Sequence, residues 1–293
     1  MMKLSIFTVA TPELGPDELA VAARAAGLEA IEWRYTELPA DAASQPYSFW
    51  GNNICTIQPS KGEAELARFK EAAERHGLRT LSVTPYLKAG DLQATEQVLQ
   101  AANALDAPFI RLGVPGYDRS KPFDELFSLG REYLREASLL CAKYGVKGLI
   151  EIHHNTIAAS ASGARRLVEG MDPAHIGVLF DPGNMVFEGF ENYRLALEIL
   201  GPYLAHVHVK NACWKPAGHA PDGSGKWDGE WMPIDQGMVP WRQVIEDLVA
   251  VGYDGYLGAE DFSGQFTSSP DMLKHFADYI GGLVRELQGD VHL

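Results

Sequence analysis

The chain has 293 residues, 46% hydrophobic and 22% charged, a composition that suits a packed globule and excludes disordered and fibrous classes. Its 25 Lys and Arg against 39 Asp and Glu give a formal net charge of −14, which argues against nucleic acid as a partner, because a phosphate backbone is met by concentrated positive charge. No apolar run reaches the roughly 18 residues of a membrane span, residues 1–6 are too short for a secretory signal's apolar core, and Cys55, Cys141 and Cys213 are spaced as reduced thiols rather than as a disulfide framework. The expectation is a cytoplasmic protein that contacts neither membrane nor nucleic acid.

In chain order, β-rich runs fall at residues 3–9, 28–34, 79–85, 109–114, 147–154, 176–182, 205–211 and 255–262. Amphipathic helical stretches alternate with them at 17–26, 63–76, 91–105, 124–144, 161–171, 193–200, 241–251 and 270–287. Glycines at 27, 77, 145 and 252 separate a helix from the next strand, where a left-handed cap is wanted. No low-complexity linker divides the chain, so a single domain over 1–293 is expected. Eight β/α units with right-handed crossovers close as a (β/α)8 TIM barrel. A doubly wound sheet would more often use fewer strands and carry a phosphate fingerprint, and Gly113-Val114-Pro115-Gly116 reads instead as a turn.

Chemistry in such a barrel sits at the carboxyl ends of the strands. The fifth strand ends Glu151-Ile152-His153-His154, and period-two alternation places Glu151 and His153 inside, with Ile150 and Ile152 toward the helices. The sixth delivers Asp181 at its end before Pro182 stops the ladder. The seventh, His206-Val207-His208-Val209-Lys210, puts both histidines and the lysine inside, and the eighth brings Glu260 inward. Two glutamates, an aspartate and a histidine form an oxygen-rich site that suits a divalent metal, Mn²⁺ first, then Mg²⁺ or Co²⁺, with Zn²⁺ the less natural fit. Three inward carboxylates without a cation would repel one another.

The runs Glu151-Ile152-His153-His154, Asp181-Pro182-Gly183-Asn184, His206 to Lys210 and Gly255-Tyr-Leu-Gly-Ala-Glu260 resemble the sugar phosphate isomerase/epimerase group of the xylose isomerase-like barrel superfamily, a likeness that extends over essentially the whole chain. The resemblance implies a metal held by Glu151, Asp181, His208 and Glu260. It also implies a sugar isomerase or epimerase that abstracts a proton next to a carbonyl through a metal-stabilised enediolate. Glu151 and Glu260 are then the acid/base pair, with His153 and Lys210 holding or protonating substrate oxygens. The chain departs from the pattern at Asn184, where many relatives have histidine, and at Asn211, where many have aspartate. Both changes remove titratable groups.

Around this core, Glu32 at the end of the second strand either reaches substrate or pairs with an internal arginine such as Arg111. Alternation turns His154 toward the helices and leaves His206 deeper than His208, and Cys213 reads as a buried thiol. Residues 214–239, with Trp214, Trp227 and Trp231, read as a long loop that is either a substrate lid or a homo-oligomer contact. Residues 46–59, with Tyr47, Phe49 and Trp50, form a second aromatic loop at the mouth. The expected partner is a small sugar or polyol. A lyase or dehydratase is the rival reading, since the same enediolate can expel a β-substituent. An abasic-site nuclease is disfavoured by net charge and scarce rim histidines, and a non-catalytic sugar binder would be recognised by a metal-free protein indifferent to Glu151→Gln.

Overall fold

A computed structural model describes residues 1–289; residues 290–293 of the expected domain lie outside the described residues. The strands are β1 (Lys3–Phe7), β2 (Ala30–Tyr35), β3 (Thr56–Ile57), β4 (Arg79–Pro85), β5 (Phe109–Arg111), β6 (Lys147–Glu151), β7 (Ile176–Phe180), β8 (Leu204–Val209), β9 (Asn211–His219), β10 (Gly225–Met232) and β11 (Tyr256–Ala259). Eight of them pair in parallel in the order β1-β11-β8-β7-β6-β5-β4-β2, and β1 pairs with β2 to close the ring. This is a single-domain TIM barrel, with short β3 added beside the last residues of β2.

The outer helices are α1 (Pro16–Ala25), α2 (Gly62–Arg75), α3 (Leu92–Ala104), α4 (Phe123–Tyr144), α5 (Ala161–Val168), α6 (Pro182–Phe187), α7 (Tyr193–Leu200), α8 (Trp241–Ala250) and α9 (Ser269–Gly289). Their starts follow capping chemistry: the side chains of Asp91, Ser160, Asp181 and Asn192 each accept a backbone N–H of the first turn. Helix α4 stops at Gly145, whose φ of 66° is the left-handed cap expected of that glycine.

Packing follows the two faces of each strand. Ile150, Ile152, Val207 and Val209 are fully buried in the apolar layer between barrel and helices, as alternation predicts. In that layer Trp33 of β2 meets Phe69 of α2 edge-on, with ring centroids 4.9 Å apart. Each such fully buried side chain contributes about 1.5–3 kcal/mol.

Besides the short β3 within the segment read as an aromatic loop, a helix and a hairpin were not anticipated. Helix α6 starts at Asp181-Pro182, where an N-cap aspartate followed by proline at the first helical position begins a turn of helix rather than merely ending a strand. Residues expected as an irregular loop instead form an antiparallel hairpin, β9 with β10, closed by a turn in which Ala220 N donates to Ser224 O at 2.8 Å and Gly223 takes φ 86°. Among the described residues, no helix is long and apolar enough to cross a membrane.

Candidate functional site

The carboxyl ends of β6, β7, β8 and β11 converge on one point. Glu151 is the last residue of β6, Asp181 caps α6 directly after β7, His208 lies on β8, and Glu260 follows β11, held by its backbone N–H to Val209 O at 3.0 Å. One ligand-capable atom from each lies within 4.8 Å of the others, and all four residues are buried. From His208 Nδ1 the distances are 3.4 Å to Glu260 Oε2, 3.7 Å to Glu151 Oε1 and 4.0 Å to Asp181 Oδ2. That nitrogen is buried and has no hydrogen-bond partner among the described residues. An unpartnered imidazole nitrogen facing three carboxylate oxygens fits a divalent cation, which would supply the missing contact and neutralise the acids.

Cationic side chains divide the carboxylates between them. Arg111 Nη1 lies 2.7 Å from Glu151 Oε2, and its guanidinium also donates to Pro85 O. Lys210 Nζ lies 2.8 Å from Asp181 Oδ2 and ion-pairs with Glu260. Burial opposes ionisation of Glu151, but Arg111, His208 and Lys210 together hold it well below the usual carboxylate range. Burial likewise opposes ionisation of Glu260, whose carboxyl Lys210 and His208 hold lowered. Asp181 goes the other way: burial pushes it up to about 7, reinforced by Glu260 and Glu151 against the opposing pull of Lys210. Three acids in one dry space therefore do not all ionise comfortably beside one lysine.

Above the cluster opens a cavity of about 450 Å³, lined among others by Arg111, His153, His154, Lys210, Trp231 and Phe262. The lysine ammonium sits 5.1 Å from the Trp231 ring and 5.4 Å from the Phe262 ring. His153 faces this cavity, with Nδ1 2.7 Å from the His154 carbonyl; a carbonyl only accepts, so Nδ1 carries the proton and Nε2 keeps its lone pair. Trp50 of the 46–59 segment also reaches the cavity, whereas Tyr47 and Phe49 line a separate one of about 310 Å³.

Several readings are corrected. His154 lines the cavity and stacks on His153 at 4.4 Å instead of facing the helices, because β6 ends at Glu151 and alternation no longer governs the residues beyond it. Burial, seconded by His153, lowers its pKa to about 4. Glu32 does not pair with Arg111, which Glu151 claims; it meets His208 Nε2 at 3.0 Å and His206 Nε2 at 2.9 Å. Cys213 is half-buried on the hairpin, not enclosed.

The two asparagines have separate tasks. Asn184 donates to Asp181 Oδ2 at 2.8 Å, Ile152 O at 3.0 Å and Glu151 Oε1 at 3.2 Å, and its Oδ1 lies 3.1 Å from His154 Nδ1. It thus orients two of the acids without adding a titratable group. Asn211 faces away from the site and fastens the base of the hairpin, donating to Ile234 O and Val239 O and accepting from the backbone of Ala212 and Val239. Arg111 is internal, as the sequence reading had it, but its partner is Glu151 rather than Glu32.

Residues 20–280 match the family described as xylose isomerase-like TIM barrel. Among curated proteins, an inosose dehydratase from Geobacillus thermodenitrificans is 24% identical over 159 residues, 51% of this chain and 52% of that one. The chain thus matches about half the length of that relative. Among solved structures, a 3-keto-D-glucoside 4-epimerase from E. coli superposes with a TM-score of 0.70 at 18% identity, covering 96% of this chain and 100% of the other. An IOLI protein with a bound zinc atom gives 0.72 at 16% identity, covering 98% and 99%. At these identities the two structures share the fold.

Proposed function

The chain belongs to the xylose isomerase-like TIM barrel family, and on that premise we propose that it is a divalent-metal-dependent sugar isomerase or epimerase. Glu151, Asp181, His208 and Glu260 would hold the metal. The observation that carries the reading is the convergence of these four buried donors beneath one cavity, with His208 Nδ1 left unpartnered. The zinc-bound neighbour supports a divalent ion; Mn²⁺ remains our first assignment from the oxygen-rich donor set.

When bound, the cation supplies Lewis acidity that makes a C–H bond next to a substrate carbonyl easier to ionise. Glu151, kept ionised by Arg111, accepts or returns that proton at one side of the substrate carbon, and Glu260 serves the other. Lys210, ion-paired with Glu260 and facing the cavity, holds a substrate oxygen and can restore its proton. His153 Nε2 accepts from a substrate hydroxyl. Trp231 and Phe262 give the sugar an apolar wall and exclude water from the carbanion.

A second reading, a lyase or dehydratase on a keto-sugar or keto-polyol, is favoured by the inosose dehydratase relative and by Lys210 as an acid facing the cavity. Incubating the metal-loaded protein with a panel of keto- and aldo-sugars and inososes in D₂O, followed by NMR, separates the readings. Deuterium incorporation with a new stereoisomer or ketose supports the first, and loss of water the second. A protein that binds no divalent metal and exchanges no substrate proton overturns both.

A further inference from the structure

The two ring nitrogens of His208 have different surroundings. Nδ1 faces the three acids, while Nε2 lies 3.0 Å from Glu32 Oε2, in a part of the barrel that does not line the cavity. An ionised carboxylate only accepts hydrogen bonds, so this contact places a ring proton on Nε2, and Nδ1 is the nitrogen turned toward the three acids. The Phe7 ring stacks on the imidazole at a centroid distance of 5.6 Å and an interplanar angle of 15°, which restrains its rotation.

Glu32 is itself built in. Ser5 Oγ donates to Oε1 at 3.0 Å, His206 Nε2 lies 2.9 Å from the same oxygen, and the whole group is buried. Gly258 on β11 makes the room: a Cβ at that position would collide with Glu32 Oε1 and press on His206 Nε2 and His208 Cδ2 at 3.1 and 3.2 Å. The missing side chain on β11 and the acid on β2 therefore belong to one arrangement.

We propose that Glu32 is a positioning residue that fixes His208 as its Nε2–H tautomer and turns Nδ1 toward the cation shared with Glu151, Asp181 and Glu260. This rests on the four-donor reading above. Carboxylates that hold the far nitrogen of a metal-ligating histidine commonly account for 10- to 100-fold in metal affinity.

The test is Zn²⁺ titration calorimetry of wild type, Glu32→Gln and Gly258→Ala, with ¹⁵N-histidine NMR of the Zn²⁺-loaded wild type. We expect one Zn²⁺ site in the wild type, with His208 protonated at Nε2 and ligating through Nδ1. Glu32→Gln should weaken Zn²⁺ about 10- to 100-fold. Gly258→Ala, which displaces the carboxylate and crowds the His208 ring beside it, should weaken Zn²⁺ too, and the double variant should lose less than the product of the single losses. Folded variants with unchanged Zn²⁺ affinity, whatever their melting temperatures, overturn the proposal. If neither variant folds, the wild-type spectrum decides, and a His208 protonated at Nδ1 overturns it. A wild type that binds no Zn²⁺, or binds it equally well after Asp181→Asn, overturns the four-donor reading and the positioning role with it.

Discussion

The outer and inner faces of the barrel wall use the same strands for opposite purposes. On β6 and β8 the outward residues Ile150, Val207 and Val209 are aliphatic and pack against helices, while their neighbours Glu151, His206 and His208 place polar side chains in the dry interior. The outer layer gains from every buried carbon. The inner layer carries groups whose burial is unfavourable unless each is paired, and it is tolerated because Arg111, Lys210 and Glu32 supply partners. Period-two alternation lets one strand meet both demands, so the two faces should be separable by mutation.

The largest expected effect is on the inner face. Glu151→Gln and Glu260→Gln should each lower kcat by about 10²–10⁴-fold by removing a proton acceptor, with the circular dichroism spectrum unchanged. On the outer face, Phe69→Ala should lower unfolding free energy by about 3–5 kcal/mol in urea titrations while leaving Zn²⁺ affinity as it was. A loss of affinity there would show that the layers are coupled.

A subtler effect is alkaline. Burial pushes the Cys141 thiol up to about 12 from its ordinary value of 9.0. The unfolded chain therefore releases this proton first, so the thiol's contribution to stability is intact below about pH 9 and falls between there and pH 12, at no more than about 1.4 kcal/mol per pH unit. Cys141→Ala should flatten that limb of a stability–pH curve. The smallest effects lie on the hairpin. Trp231→Ala should raise KM several-fold by removing part of the cavity's apolar wall, and the exposed Trp227→Ala should shift stability by less than about 0.5 kcal/mol and leave KM unaltered.

What was legible in the sequence tracks where alternation operates. The eight barrel strands, and the inward facing of Glu151, His208 and Glu260, follow from period two combined with apolar neighbours. The same rule fails at His154, three residues beyond the end of β6. It also says which face a residue takes but not its depth in the barrel, which depends on the stagger between strands. That is why substrate or Arg111, and not His206 and His208 on β8, stood as the alternatives for Glu32. The hairpin was missed because most of its residues are solvent-exposed and show no apolar stripe, yet Asp222-Gly223 at its tip is a recognisable turn signal.

Asn211 closes the hairpin at its root using both ends of one amide, and Gly237 lies so close that any side chain there would strike its Oδ1. The excursion between residues 212 and 239 thus leaves and rejoins the barrel through a single stitched junction. Lengthening such a loop carries a small entropic penalty that grows only with the logarithm of its size. The stretch beyond the stitch can accordingly change in length at small cost, while the buried acids and their partners in the barrel below stay as they are.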